Sequence, residues 1–247
     1  MRLLVIMLVF LLSAQDGRAE QYNVAVAHIP PFAMKRDTGP EGILVDITSE
    51  AFGRLGHSVN FQFLPWPRAI NYMNIGKVDA IVPFFKNPER VKFAEFPTKG
   101  LLQMDIHFFK RKGSAIQVSS VEDAKDYRIA RVSRVNLGGT FAAYEERQDL
   151  KIDQVNNTGS GIKVLVNSRV ELLASVKRIA EYAAAQLGMS HQIEVAGKAF
   201  DQHVAYLAFA KSSKSVTIAP DIWAEIEKMR INGRIDALTE RYLSYIN

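Results

Sequence analysis

Tyr22-Asn23-Val24-Ala25-Val26-Ala27 is a largely apolar run that is typical of a buried strand, and it is the first in a regular series of predicted elements. Pro30-Pro31 ends this run and begins a loop that reaches Gly42. The apolar spacings that follow predict a helix, a strand, a helix and a strand, at residues 43–56, 57–64, 67–76 and 78–82. This order of elements predicts an α/β layer with a mostly parallel sheet.

A second α/β series follows a change of pattern at Phe96-Pro97. Residues 103–109 are predicted to be extended and to end in a polar turn. The strands predicted beyond the turn are residues 127–132, 151–155 and 170–175. Three helices are predicted beside these strands. The first is capped by Asn136 or Thr140 and runs toward Gln148, and the other two are residues 162–167 and 177–187. An extended return at 203–211 and helices at 221–229 and 234–245 close the chain, so the two halves share one β-α-β order and predict two similar lobes.

Composition excludes several classes of protein. The chain has 247 residues, of which 48% are hydrophobic and 23% charged, as in ordinary globular domains. The formal net charge is +5, and the 31 basic residues are scattered, so nothing favours nucleic acid as a partner. The sequence contains no cysteine, which excludes disulfides, thiolate catalysis and a zinc–thiolate site.

The first nineteen residues predict a secretory signal peptide. Arg2 gives a positive start, Leu3–Leu12 is an unbroken apolar run, and Gly17-Arg18-Ala19 places small residues at a cleavage site. Ten apolar residues are too few to span a bilayer. We therefore expect cleavage after residue 19 and a protein exported to the periplasm, the alternative being a buried N-terminal helix or strand.

An ordered set of short motifs identifies a family resemblance. In sequence order these are Gly42-Ile43-Leu44-Val45-Asp46, Arg54-Leu55-Gly56, Pro65-Trp66-Pro67-Arg68-Ala69, Gly76-Lys77-Val78-Asp79-Ala80, Glu89-Arg90, Phe96-Pro97, Tyr206-Leu207-Ala208-Phe209-Ala210-Lys211 and Met229-Arg230-Ile231-Asn232-Gly233-Arg234-Ile235-Asp236. The set resembles the bacterial extracellular solute-binding proteins of family 3, which serve polar amino-acid ABC transporters. The Pro-Trp-x-Arg-Ala form resembles one subgroup of that family.

The resemblance implies a type II periplasmic-binding fold, in which two α/β lobes are joined by two hinge strands and enclose the ligand between them. By this analogy, lobe one is residues 20–104 plus 202–247, and lobe two is residues 105–201. The change of pattern near Gln103 and the extended return near His203 are the two expected crossovers. Ligand contacts would then favour a closed state reached by hinge rotation.

Arg90 is the first candidate for ligand binding. The resemblance places at this position an arginine that binds the ligand carboxylate, and a planar guanidinium matches two carboxylate oxygens. The alternative is a surface arginine paired with Glu89 or Glu95. Trp66 falls where the family has an aromatic ring that stacks on the ligand, the alternative being core packing. Arg68 is either a second anion-binding group or a structural clamp.

The remaining candidates lie on neighbouring loops. Phe84 and Phe85 occupy the loop where amino-acid binders usually carry small hydroxyl residues, and Ile29 and Phe32 lie on the first loop, where a second stacking aromatic is common. Asn136 and Thr140 begin a predicted helix whose backbone N–H groups could meet the ligand's anionic end, although plain capping would also place them there.

The acids that grip an α-ammonium in the family are not in their usual places. The first loop has no Asp before residues 28–32, and the strand at 171–177 ends without one. A buried ammonium without an acceptor is unfavourable. Asp201 could supply the missing acceptor, and His203 beside it is expected to be structural. The pattern favours a carboxylate-bearing solute with an apolar or aromatic body.

Three functions are compatible with this pattern. The first is a monomeric binding protein that delivers its small-molecule ligand to the membrane permease of an ABC transporter. The second is a solute sensor that docks on a receptor kinase. The third, a periplasmic dehydratase-like enzyme on the same fold, needs an acid in the cleft, so we expect no enzyme. Catalytic and phosphate-binding motifs are absent from the sequence, Gly159-Ser160-Gly161 fits a helix cap better than a phosphate loop, and the five histidines lack metal-ligand spacing, so no cofactor or metal is expected.

Overall fold

Residues 19–133 and 135–243 are described by the structure, which is a computed structural model. The predicted signal peptide therefore lies outside the described residues, apart from Ala19. In chain order the elements are β1 (Gln21–Val26), β2 (Met34–Arg36), β3 (Gly39–Glu41), α1 (Ile43–Gly53), β4 (Ser58–Phe63), α2 (Trp66–Asn74), β5 (Ala80–Phe84), β6 (Ala94–Glu95), β7 (Leu102–Arg111), β8 (Arg128–Val132), α3 (Gly139–Glu146), β9 (Lys151–Val155), α4 (Thr158–Val166), β10 (Leu172–Val176), α5 (Lys177–Gln186), β11 (Ile193–Val195), β12 (Asp201–Ala210), α6 (Ala219–Ile231) and α7 (Arg234–Leu243).

The main sheet consists of two groups of parallel strands. Its order is β4-β1-β5-β12-β7-β10-β8-β9, and the short strands β6 and β11 pair with β12 and β7. β1 runs parallel to β4 and β5, and β8 runs parallel to β9 and β10. We call β1, β4 and β5 the first strand group, and β8, β9 and β10 the second strand group. The predicted α/β fold class is therefore confirmed. The sheet as a whole is mixed and not mostly parallel, because every pairing that involves β7 or β12 is antiparallel.

Two long antiparallel strands connect the strand groups. Residues 201–205 of β12 pair with residues 102–106 of β7. Farther along β12, Tyr206, Ala208 and Phe209 pair with β5, and the register shifts between Tyr206 and Ala208. The other end of β7 pairs with β10. A chain that leaves one strand group through β7 thus returns to it through β12.

Helices cover the sheet and bury its apolar faces. α1 packs against α6 and α7, and its Phe52 stacks on Phe209 of β12 with ring centroids 6.1 Å apart. Both phenylalanines are fully buried, and burial of such a side chain stabilises the fold by about 1.5–3 kcal/mol. Within the described residues, no helix has the length and apolar character needed to cross a membrane.

The loop predicted between Pro31 and Gly42 contains a hairpin that the sequence pattern missed. β2 and β3 pair antiparallel over three residues each, which is too short for an alternating apolar pattern. Gly42 then leads the chain into α1 with φ of +131°, and a Cβ at this position would lie 2.6 Å from the backbone oxygen of Phe32. Glycine is required here because any side chain would collide with that backbone.

Candidate functional site

A cavity of about 420 Å³ lies between the loop that follows β1 and the carboxyl ends of the second strand group. Ligands of α/β proteins commonly bind at the carboxyl ends of parallel strands, where loops can present polar groups. The residues that line the cavity are His28, Ile29, Pro30, Val132, Val135, Leu137, Asn156, Asn157, Thr158, Gly159, Ala174, Ser175, Val176, Ile179 and Ala183. Four separate segments of the chain therefore build one concave site.

The cavity wall is predominantly apolar and neutral. Its polar members are a histidine, two asparagines, a threonine and a serine, and none of the described lining residues has an acidic side chain. Asn157 is already engaged, because its Oδ1 accepts a hydrogen bond from the backbone N–H of Ser160 and caps α4. Gly159-Ser160-Gly161, predicted as a loop and helix cap, lies within the first turns of α4, and the cap is Asn157. Such a wall suits an apolar body better than an ammonium group.

Arg90 lies just beyond β5 and is held by backbone and amide groups. Its Nη1 donates a hydrogen bond to the backbone oxygen of Phe85 over 2.7 Å, and its own backbone N–H donates to Oδ1 of Asn87 over 2.9 Å. Its guanidinium carbon lies 5.2 Å from the centroid of the Trp66 ring and 4.7 Å from that of Phe84. The side chain is thus fixed beside two aromatic rings.

Among the described residues, Arg90 forms no ion pair. The two acids that the sequence offered as partners are engaged elsewhere, since Glu89 pairs with Lys92 at 2.7 Å and Glu95 with Lys211 at 3.8 Å. Burial lowers the pKa of Arg90 because desolvation disfavours the charged form. A partly buried cation without a carboxylate is well suited to receive an anion, whose approach replaces the lost hydration.

Two aromatic candidates lie in the core and not on a cleft loop. Phe84 is the last residue of β5 and is fully buried, and Phe32 is buried against the main core. The expectation that they present their rings to a solute is wrong for this conformation, because both side chains are enclosed by other apolar residues. Phe85 and Ile29 are only partly buried, and Ile29 lines the cavity.

Trp66 and Arg68 belong to the first turn of α2. Trp66 begins the helix, one residue before the predicted start, and is partly buried against the cluster that contains Phe84. Arg68 is exposed. Its side chain has no hydrogen bond or ion pair to any residue in the described part of the chain, so the structural-clamp alternative gains no support.

The loop before α3 departs from the predicted capping. Gly138 is the N-cap of α3, and no side chain caps it, so the prediction of Asn136 or Thr140 as the cap is wrong. Asn136 instead accepts a hydrogen bond from the backbone N–H of Gly138 over 2.9 Å, and Thr140 is exposed in the first turn. The side chain of Asp201 lies directly against this N-cap, since its Oδ2 would be only 1.7 Å from a Cβ at position 138.

His203 connects this loop to the end of β5. Its Nε2 lies 3.0 Å from the backbone oxygen of Asn136, and its ring centroid lies 4.8 Å from that of Phe85. His203 belongs to β12, which also carries Asp201. The structure thus brings Phe85, Asn136, Asp201 and His203 together where β12 passes between the strand groups.

The sequence interpretation missed most of the cavity wall. Val132, Asn156 and Ser175 each lie at or directly after the end of a parallel strand. Position at a strand end was the available signal, but these residues carry no charge that would distinguish them from ordinary loop residues. In the described ranges, no group of three or more potential metal-binding side chains occurs.

Comparisons with known proteins show the family and the fold. Residues 22–245 match the family described as bacterial extracellular solute-binding proteins, family 3. No curated protein sequence matches the chain significantly.

Solved structures of similar fold include proteins of different roles. The L-cystine solute receptor of Neisseria gonorrhoeae, in its unliganded open conformation, has a TM-score of 0.71 and 14% identity, with 92% of this chain and 94% of that chain covered. A histidine kinase sensor domain with similarity to periplasmic binding proteins has a TM-score of 0.71 and 15% identity, with 92% and 97% covered. An ancestral amino acid-binding protein described as a precursor of cyclohexadienyl dehydratase has a TM-score of 0.68 and 21% identity, with 90% and 95% covered. Identities this low show a shared fold and not a shared ligand.

Proposed function

Because the chain belongs to the bacterial extracellular solute-binding proteins of family 3, we propose that it captures a small solute carrying a carboxylate and an apolar body. Capture would occur by rotation of two lobes, residues 20–104 with 202–247 and residues 105–201, about β7 and β12. These two strands support the proposal because they connect the strand groups, and connecting segments of this kind absorb hinge rotation.

Two separate observations support the proposal, Arg90 without an ion-pair partner among the described residues and an apolar cavity whose lining does not include Arg90. Lobe rotation would have to bring the two to one ligand. Arg90 has no carboxylate partner among the described residues and offers further N–H groups beyond the one bound to Phe85. The cavity wall provides apolar contact without an acid. A solute with a carboxylate fits the first feature, and a body without an ammonium group fits the second.

The proposed compartment is the periplasm, reached after cleavage of residues 1–19, and the proposed partner is the permease of an ABC transporter. The fold likeness to a kinase sensor domain favours a second output, in which the loaded protein acts on a receptor kinase. Uptake of labelled ligand by cells with and without the gene separates the two outputs, since a pure sensor leaves uptake unchanged.

Binding is proposed in preference to catalysis. One protein of similar fold is described as a dehydratase precursor, but a dehydratase needs a positioned acid, and the described cavity lining has none. Incubation of a bound solute with the protein, followed by mass spectrometry, should return the solute unchanged. Loss of water from the solute would establish catalysis instead.

A thermal-shift screen followed by calorimetry tests the proposed ligand class. We expect aryl and alkyl carboxylates to stabilise the protein, because a ligand that binds only the folded state raises its stability as the ligand concentration increases. The corresponding amides should not stabilise it. Arg90→Met should weaken binding about tenfold to a hundredfold, which corresponds to about 1.5–3 kcal/mol for one charge-assisted interaction.

Arg128→Met is a matched control, because Arg128 lies at the opposite end of β8 from the cavity and pairs with Asp153 at 2.8 Å. The affinity of Arg128→Met for the carboxylate should equal that of the wild type. Equal binding of an acid and its amide would contradict the role of Arg90. If none of the tested carboxylates stabilised the protein, the proposed ligand class would be contradicted.

A further inference from the structure

Trp66 and Phe84 lie on the same side of the Arg90 guanidinium. The guanidinium carbon is 5.2 Å from one ring centroid and 4.7 Å from the other, and the two centroids are only 5.7 Å apart. Rings on opposite sides of the cation would have to be almost twice as far apart. The two rings, tilted by 59° to each other, therefore form an aromatic platform beneath one side of the guanidinium.

We infer that Trp66 is a positioning residue for Arg90. The main role of Trp66 is to form the aromatic platform together with Phe84, and not to stack on the ligand. The attraction of a cation to aromatic faces supplies the physical basis. The hydrogen bond from Nη1 to the oxygen of Phe85 fixes the rotation of the guanidinium on this platform. The side away from the rings is left for an anion, a consequence that rests on the proposed function.

The platform is itself supported by further rings. Phe84 is fully buried and stacks on Phe96, with centroids 5.5 Å apart and planes within 7°. Phe96 in turn packs nearly perpendicular to the ring of Tyr206 on β12, with ring centroids 5.6 Å apart. Because the Phe84 ring is enclosed on the side away from Arg90, it cannot turn to follow a mobile guanidinium. The preferred position of Arg90 is therefore set before any ligand binds.

A ligand-free fluorescence experiment tests the proximity of the cation to Trp66. The chain has two tryptophans, so Trp223→Phe leaves Trp66 as the single reporter. Iodide is the probe, because an adjacent fixed cation raises the local concentration of an anion. Arg90→Met in this background should lower iodide quenching about twofold and leave quenching by neutral acrylamide unchanged. Equal iodide quenching with and without Arg90 would contradict the proximity of the Arg90 guanidinium to Trp66.

Side-chain ¹⁵N relaxation then tests the positioning role. The Arg90 Nε signal, assigned by its loss in Arg90→Met, should have a high order parameter in the ligand-free protein. Trp66→Leu should lower that order parameter, and Trp66→Phe should restore most of it because a phenyl face also attracts a cation. Trp223→Phe is the matched control and should leave it unchanged. An equally ordered Arg90 in Trp66→Leu would overturn the inference.

Both measurements are made without ligand, so they are independent of the proposed function. A protein with an ordered Arg90 that binds no carboxylate would refute the ligand class and leave the platform intact. A protein that binds carboxylates with an Arg90 indifferent to Trp66 would refute the platform alone.

Discussion

Arg36 donates a hydrogen bond from Nη2 to Oη of Tyr182 over 2.9 Å, joining residues that are 146 positions apart. Tyr182 in turn donates from Oη to Sδ of Met34 over 3.3 Å. Arg36 is held in place by Glu41 at 2.7 Å. The β2–β3 hairpin of the proposed first lobe is thereby attached to α5 of the proposed second lobe, through residues that do not line the cavity.

Tyr182→Phe should weaken this attachment. The variant keeps the buried ring and loses only the hydroxyl group, so we expect the free energy of unfolding to fall by about 0.5–1.5 kcal/mol. Urea denaturation measures the change. Tyr144→Phe is the matched control, because the Tyr144 hydroxyl bonds to the exposed Glu122 within the proposed second lobe and should contribute less. Equal losses in the two variants would contradict the predicted role of Tyr182.

Gly42→Ala should destabilise the protein more than Gly39→Ala. Both glycines have positive φ, +131° and +125°, so alanine is strained at either position. Only at Gly42 would the new Cβ collide with backbone, that of Phe32 at 2.6 Å, whereas nothing lies within 4 Å at Gly39. The difference in the free energy of unfolding should be at least about 1 kcal/mol. Equal values would show that the chain relaxes around the collision.

Ser175→Asp should change the ligand preference of the cavity. Ser175 lies near the end of β10, is only 6% exposed and lines the cavity, so an aspartate there would supply a carboxylate for an ammonium group. We expect phenylalanine to gain about tenfold or more in affinity relative to 3-phenylpropionate, as one charge-assisted hydrogen bond allows. Calorimetry with both compounds measures the ratio, and Ser175→Asn is the neutral control. An identical ratio in the two variants would show that Ser175 does not face the amine.

Glu181→Gln should alter the pH dependence of stability. Burial raises the pKa of Glu181 above its ordinary value of 4.5, although Lys177, Arg178 and His107 oppose the shift. The folded state therefore binds this proton more tightly than the unfolded state, and the resulting stability is lost as pH rises through the raised pKa. Glutamine stays neutral, so the variant should gain stability relative to wild type between pH 4 and pH 7.

Urea denaturation at these two pH values measures the gain, with Glu240→Gln on the exposed side of α7 as a control for the loss of one surface charge. The weak pair of Glu181 with Lys177, at 3.8 Å, should contribute little because Lys177 is exposed. If the wild type instead became more stable than Glu181→Gln as pH rises, the attraction between Glu181 and Lys177 would outweigh the cost of burying the charged Glu181.

Several elements were predictable from the sequence because their signals are local. The strand at residues 151–155 has the predicted bounds, and α5 begins at the predicted Lys177. Arg90 was chosen from a short motif, and the structure places it beside a strand end with no carboxylate partner among the described residues. Apolar spacing and motif order survive in any correct fold of the chain, so they can be recognised without coordinates.

Other features depended on contacts that no local pattern contains. The close approach of Asp201 to Gly138, the N-cap of α3, joins residues that are far apart in the chain. The role of Trp66 is set by its position beside Arg90 and Phe84. The predicted ligand-facing rings of Phe84 and Phe32 lie in the core, within clusters of apolar side chains from several elements.

The sequence alone was enough to predict most of the longer strands and helices and the α/β class, since these depend on local periodicities, and the family, which depends on the order of short motifs along the chain. The identity of the side chains that enclose the cavity, in contrast, depends on the tertiary fold. Its wall draws on the loop after β1 and on the ends of β8, β9 and β10, and the pairing of β12 with both β5 and β7 brings these segments together. Such a wall is set by the register of strands far apart in the chain, which local spacing does not encode.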